Sequence, residues 1–221
     1  MKWLGVDGCR GGWLAVLLDD DGPNRFEIVA PIGEIARFAA RRALIDIPIG
    51  LPESGRRSCD LAARELLGAA RSRVFLDARR PLLGFASYAA ASAWAKADGK
   101  GISKQLFNIL PKIGEADRFI DRARQDVFVE AHPELVFQRL NGGEALPSKK
   151  TADGLQRRRA LVAAHGIADV ASWEAALPRA AARVDDLLDA CALAIAARTP
   201  AGPVPCRAET DARGLRMEIW R

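Results

Sequence analysis

Three short apolar segments of this chain each run up to a carboxylate: Leu4-Gly5-Val6-Asp7, Leu44-Ile45-Asp46 and Phe128-Val129-Glu130. A further run of acids, Asp185-Asp186-Leu187-Leu188-Asp189, lies in a helical pattern near the end of the chain. Carboxylates are hard oxygen donors, and a group of them brought together binds cations such as Mg²⁺ or Mn²⁺. Left without a cation they repel one another, so their convergence would point to metal chemistry. Asp186 and Asp189 are three residues apart, on neighbouring positions of one helix face, beside a stripe of Val184, Leu187, Leu188, Cys191 and Ile195. Their ordinary alternative is stabilisation of a helix N-terminus. A helix beginning at Arg179, just after Pro178, would place them beyond its first turn.

The elements that must carry these acids can be read from the pattern. Asp7 leads into the glycine-rich turn Gly8-Cys9-Arg10-Gly11-Gly12 and then a second strand, Trp13 to Asp19. An Asp-Gly pair is also ordinary hairpin chemistry. Because a strand follows the glycines where a helix would be needed, they do not make a dinucleotide-binding turn. Phe26 to Ala30 reads as a third strand, Ile32 to Arg42 as a short helix opened by Pro31, and Ala43 to Pro52 as a fourth strand broken by prolines after Asp46. Helices are expected over Ser58–Ala70, Ser87–Lys96 and Ser103–Ala123, a mostly helical insertion at about 55–124. Val127 to Glu130 reads as a fifth strand, followed by helices over Pro133–Leu140, Thr151–His165 and Arg179–Arg198 and a final strand at Leu215–Trp220. The expected fold is α/β: one domain over residues 1–221, built on a ribonuclease H-like mixed five-stranded sheet with flanking helices. In that order the fourth strand lies beside the first, bringing Asp46 to Asp7.

Several stretches together resemble a family of uncharacterised proteins described as predicted nucleases with a ribonuclease H fold. They are Gly5-Val6-Asp7-Gly8-Cys9-Arg10-Gly11-Gly12-Trp13, Ile45-Asp46-Ile47-Pro48-Ile49-Gly50-Leu51-Pro52 and Arg57-Ser58-Cys59-Asp60 with Ala63-Arg64. Arg73-Val74-Phe75, Ser103-Lys104-Gln105, Ile109–Asp117, Glu130-Ala131-His132-Pro133-Glu134, Ser148–Thr151 and Asp186–Ala190 continue the likeness in order. The resemblance implies a metal-dependent nuclease in which Asp7, Asp46, Glu130, Asp186 and Asp189 hold one or two Mg²⁺ or Mn²⁺ ions and carry catalysis. It also implies that Arg10, Arg64, Lys104, Gln105, Lys112, His132, Lys149 and Lys150 contact the substrate, with nucleic acid as partner. His132 has a structural alternative, bonding backbone at a strand-to-helix turn.

Bulk properties agree with a soluble globular protein. The chain has 221 residues, 49% hydrophobic and 28% charged, long enough for one sizeable core. Its net charge of +5, largely arginine, suits phosphate but does not require nucleic acid. Four dispersed cysteines have no paired ligand spacing, and no apolar run approaches a membrane span, so the expected compartment is the cytoplasm. The oligomeric state is open, a dimer being allowed. Alternatives to a nuclease are a non-catalytic nucleic-acid-binding protein and a metal-dependent hydrolase or phosphotransferase acting on a small phosphorylated molecule. An actin-like phosphotransferase would need two facing domains, and this chain has room for one.

Overall fold

The computed structural model describes residues 1–99 and 101–221. Strand β1 (Lys2–Cys9) turns through Arg10 and Gly11 into antiparallel β2 (Gly12–Asp19), which pairs with antiparallel β3 (Arg25–Val29). Gly12 has φ +128°, and a Cβ there would meet the Val29 carbonyl oxygen at 2.3 Å, so only glycine closes this turn. The expected helix after Pro31 is a 3₁₀ segment, Ile32–Phe38, shorter than its apolar pattern suggested. Ala39 ends it in the left-handed conformation (φ 50°), and the Arg41 N–H then bonds the Lys2 carbonyl, starting β4 (Arg42–Ile45) alongside β1.

Strand β4 runs parallel to β1, with Ile45 beside Val6, and β5 (Phe128–Glu130) runs parallel to β4, with Glu130 beside Ile45. The result is a five-stranded mixed sheet in the order β3-β2-β1-β4-β5. Between β4 and β5 stand α1 (Ser58–Leu67), α2 (Tyr88–Ala97) and α3 (Lys104–Phe119), with two 3₁₀ segments between α1 and α2. After β5 come α4 (Pro133–Leu140), α5 (Ala152–Ala164), α6 (Val170–Ala176) and α7 (Val184–Arg198). The chain ends in a separate hairpin, β6 (Pro203–Thr210) and β7 (Arg216–Trp220). Of these, α6 and β6 had not been expected. The last strand pairs with β6 and touches the main sheet through one Trp220–Ala131 bridge.

Strand alternation sorts the core into two layers. Leu4, Val6, Trp13, Ala15, Ile45 and Phe128 face the 3₁₀ segment, α2 and α3. Trp3, Leu14, Val16, Leu44 and Val129 face α4, α5 and α7. Helix α7 is the backbone of the second layer, buried almost continuously from Leu187 to Ala197. It lies directly on β1 because Gly5 has no side chain: a Cβ there would stand 2.0 Å from the Ala190 carbonyl oxygen and 2.2 Å from the Ala194 nitrogen. A third cluster, with Cys59, Ala63, Val204, Met217 and Ile219, seals α1 against the terminal hairpin. Among the described residues, no helix is long and apolar enough to cross a membrane.

Candidate functional site

Alternation along β1 places Asp7 on the same face as Gly5, toward α7. Asp46 immediately follows β4, where its N–H donates to the Val6 carbonyl at 2.9 Å, and its parity with Leu44 gives it the α7 side as well. Asp189 precedes Ala190, one of the α7 residues on which Gly5 packs. Asp7, Asp46 and Asp189 therefore meet at the ends of two adjacent parallel strands, and all three line one cavity of about 490 Å³.

The electrostatics reflect this crowding. Asp7 is held well above the ordinary carboxylate range, first by burial and then by repulsion from Asp46 and Asp189. Asp46 is raised by burial, with His132 and Lys149 opposing. Burial pushes Asp189 up to about 7 against the pull of Lys149. Lys149 is the counter-charge: its Nζ donates to Asp189 Oδ2 at 2.6 Å and lies 3.5 Å from Asp185. Burial works to lower Lys149, but Asp189, Asp7 and Asp185 outweigh it and keep the ammonium protonated. Among the described residues Asp189 Oδ1, which is buried, has no hydrogen-bond partner, a state that is costly unless a cation or donor meets it.

This all-oxygen donor set, with an orphaned carboxylate oxygen, fits a hard divalent cation. As the side chains stand, no three His, Cys, Asp or Glu among the described residues are grouped as a ready-made metal cage, and the Lys149 ammonium supplies the neutralisation. Arg73 and Lys150 add positive charge to the cavity wall, while Val74, Phe75, Ile109 and Ile219 form its apolar part.

Two of the expected ligands are placed differently. Glu130 ends β5 opposite Ile45, so its parity is opposite to that of Asp46. It borders the cavity, but its Oε2 accepts from the Ile49 N–H at 2.7 Å and from the buried Arg57 guanidinium. Burial raises its affinity for a proton, with Arg57 opposing. Arg57 also lies 3.7 Å from Asp60, making one guanidinium the shared counter-ion of two carboxylates. Asp186 is set apart because α7 begins at Val184 rather than Arg179: residues 178–182 form a turn in which the Ala181 N–H bonds the Pro178 carbonyl. Asp186 consequently falls in the first helical turn, and its Oδ2 accepts the Arg183 N–H at 2.9 Å. Its field still reaches Asp7, but its side chain lines a neighbouring depression.

Of the expected substrate contacts, Lys112, His132, Lys149 and Lys150 line the cavity and Arg10 lines the adjacent depression. Lys104 and Gln105 are exposed at the start of α3 and outside both, and half-buried Arg64 on α1 also lies outside both. His132 is the N-cap of α4: its Nδ1 accepts the Glu134 N–H at 3.2 Å, so Nε2 carries the hydrogen and donates to the Arg73 carbonyl at 3.2 Å. Sequence reasoning singled out neither Arg73 nor Glu134 as a site residue. Glu134 accepts from Arg73 at 2.6 Å and from the fully buried Arg158 at 2.8 and 2.9 Å, bracing the cavity wall. An acid in the first turn after His132-Pro133 was the available signal, since Glu134 also suits the helix dipole.

Residues 5–212 match the model of the family described as protein of unknown function (DUF429), and the chain belongs to that family. No curated protein and no solved structure matches it.

Proposed function

We propose that this member of the DUF429 family is a metal-dependent phosphodiesterase, a nuclease in reaction class, with Asp7, Asp46 and Asp189 holding one or two Mg²⁺ or Mn²⁺ ions. The observation that carries the reading is the convergence of these three acids, from β1, β4 and α7, on one cavity with Lys149, paired to Asp189, as partial counter-charge. The strand order, with β4 parallel to β1 and β2 and β3 antiparallel beyond it, supports a ribonuclease H-like fold. When bound, the cation would act as a Lewis acid and acidify a water for attack on phosphorus. Asp7 and Asp46 would offer it carboxylate oxygens from the cavity wall, and Asp189 would add its orphaned Oδ1. Lys149 would then have Asp185, 3.5 Å away, or a phosphate oxygen as its partner. Lys150, on the cavity wall, would attract the anionic substrate. Glu130, fixed to Arg57, holds the β5 end against the Ile49 segment rather than serving as a ligand. His132 has both ring nitrogens engaged and positions α4 rather than relaying protons.

A second reading is a hydrolase or phosphotransferase acting on a small phosphorylated molecule. The observation favouring it is a cavity of about 490 Å³ with an apolar part, within the size range of small-ligand sites. The test is hydrolysis of bis(4-nitrophenyl) phosphate and of labelled single-stranded and duplex oligonucleotides with Mn²⁺. Wild type is expected to be active, with Asp7→Asn and Asp46→Asn each at least 100-fold slower. Equal rates in wild type and both variants would overturn the assignment.

A further inference from the structure

Beside the acidic cavity lies a second depression of about 270 Å³, and Gly8, Ile109 and Lys112 belong to the walls of both. Its charge is reversed. Arg10, Lys112, Arg179 and Arg183 face a single carboxylate, Asp186, whose Oδ2 is already committed to the Arg183 backbone N–H. Arg10, Arg179 and Arg183 are exposed, and among the described residues none has a carboxylate within ion-pair distance. Arg10 reaches only the Ala180 carbonyl at 3.5 Å, and Arg179 only that of Glu174 at 3.3 Å. By contrast, Arg57, Arg80, Arg158 and Arg159 are each paired with a carboxylate of the chain.

The depression is also framed by fixed backbone. Gly11 N–H donates to the Ala181 carbonyl at 2.7 Å, tying the β1–β2 turn that carries Arg10 to the 178–182 turn that carries Arg179. Lys112 bonds the Gly12 carbonyl, and its Nζ lies 4.5 Å from the centre of the Trp13 ring, so it forms a settled wall between the two cavities. Cys9, on the floor, is two strand residues beyond Asp7, roughly 7 Å along extended chain.

We propose that this depression binds the phosphates of a nucleic-acid strand that flank the phosphodiester lodged at Asp7, Asp46 and Asp189. The proposal rests on the phosphodiesterase reading and narrows its substrate from any phosphodiester to a strand. Guanidiniums without carboxylate partners match phosphate in charge and geometry, and no internal ion pair must break when they engage it. The N-terminus of the 15-residue α7 adds positive potential at the same place.

The test is fluorescence anisotropy of 5′-fluorescein-labelled twelve-nucleotide single strands, one DNA and one RNA, in EDTA over a range of salt. Wild type is compared with Arg179→Ser/Arg183→Ser and with Arg179→Lys/Arg183→Lys. Losing two phosphate contacts should reduce the slope of log K against log salt by about 1.4 and weaken binding roughly tenfold at low salt, for DNA and RNA alike. The lysine pair should keep most of the slope. Unchanged slope and affinity in the serine pair would overturn the strand site, even if wild type hydrolyses bis(4-nitrophenyl) phosphate. The reduced slope together with no hydrolysis of any substrate with Mn²⁺ would leave the strand site standing and remove the phosphodiesterase reading.

Discussion

Gly5→Ala tests how the acids are brought together without touching any of them. The new Cβ would lie 2.0 Å from the Ala190 carbonyl oxygen, 2.2 Å from the Ala194 nitrogen and 2.8 Å from the Leu193 carbonyl carbon. All three are α7 backbone, so no rotamer change relieves the clash. Ordinary contact begins near 3.4 Å, and α7 must retreat from β1 by about 1.4 Å. Overpacking of this kind costs roughly 1–3 kcal/mol, and a clash with a buried helix backbone belongs at the upper end. At ~2–4 °C per kcal/mol for a domain of this size, about 3 kcal/mol lowers Tm by roughly 6–12 °C. Asp189 travels with α7, away from Asp7 and Asp46. The expected result in differential scanning fluorimetry is that Mn²⁺ raises the Tm of wild type and fails to raise that of Gly5→Ala. Gly8→Ala is the control: its Cβ would meet side chains rather than backbone, Lys112 at 3.0 Å and the Trp13 ring at 3.8 Å, and the Mn²⁺ shift should survive. A Gly5→Ala protein melting within about 2 °C of wild type, with an intact Mn²⁺ shift, would refute the argument.

Two other outcomes follow from the site. The raised carboxylates bind protons more tightly in the folded than in the unfolded state, so their contribution falls as pH rises from their unfolded value of 3.8 through about 7 for Asp189. Urea unfolding in EDTA should show Asp189→Asn gaining stability relative to wild type by on the order of 1–2 kcal/mol between pH 5 and 8, and saturating Mg²⁺ should reverse that advantage; a pH-independent difference would contradict it. His132→Ala should lose about 1 kcal/mol with the α4 cap, and His132→Asn should recover most of it. Phosphodiester hydrolysis measured below the melting transition should then be within about twofold of wild type, and a far greater loss in both variants would give His132 a direct catalytic role.

The acids at strand ends were legible because apolar alternation and chain order together define both the strand and its neighbours. Asp7 and Asp46 needed only the parallel pairing of β1 and β4. Glu130 shows where that reading stops: a run ending on an acid does not reveal parity, and one residue of register moves a side chain to the other face. Asp186 depended on where α7 begins. The turn at 178–182 is helix-like locally and held by Gly11, a contact about 170 residues distant in sequence that no local pattern contains. Strand β6 was hidden by Pro203, Pro205 and its charged residues, which a two-stranded hairpin tolerates because one edge of each strand is unpaired. The close approach of β1 and α7 needed both a glycine and a run of alanines, and neither alone specifies the other.

The packing of α7 on β1 also sets when the site can exist. Asp7 and Asp46 belong to the first quarter of the chain, while Asp189 belongs to a helix spanning Val184–Arg198. A ribosome adding about 5–20 residues per second needs roughly 7–29 seconds to travel from Asp46 to Asp189. Throughout that interval the β1 face later covered by Leu187, Leu188 and Ala190–Ala197 has no helix to bury it. The nascent chain thus carries two of the three acids and an open apolar groove, and it acquires the third acid in the same step that closes its core. Assembly of the proposed cation site is coupled to completion of the fold, and a chain arrested before α7 has neither.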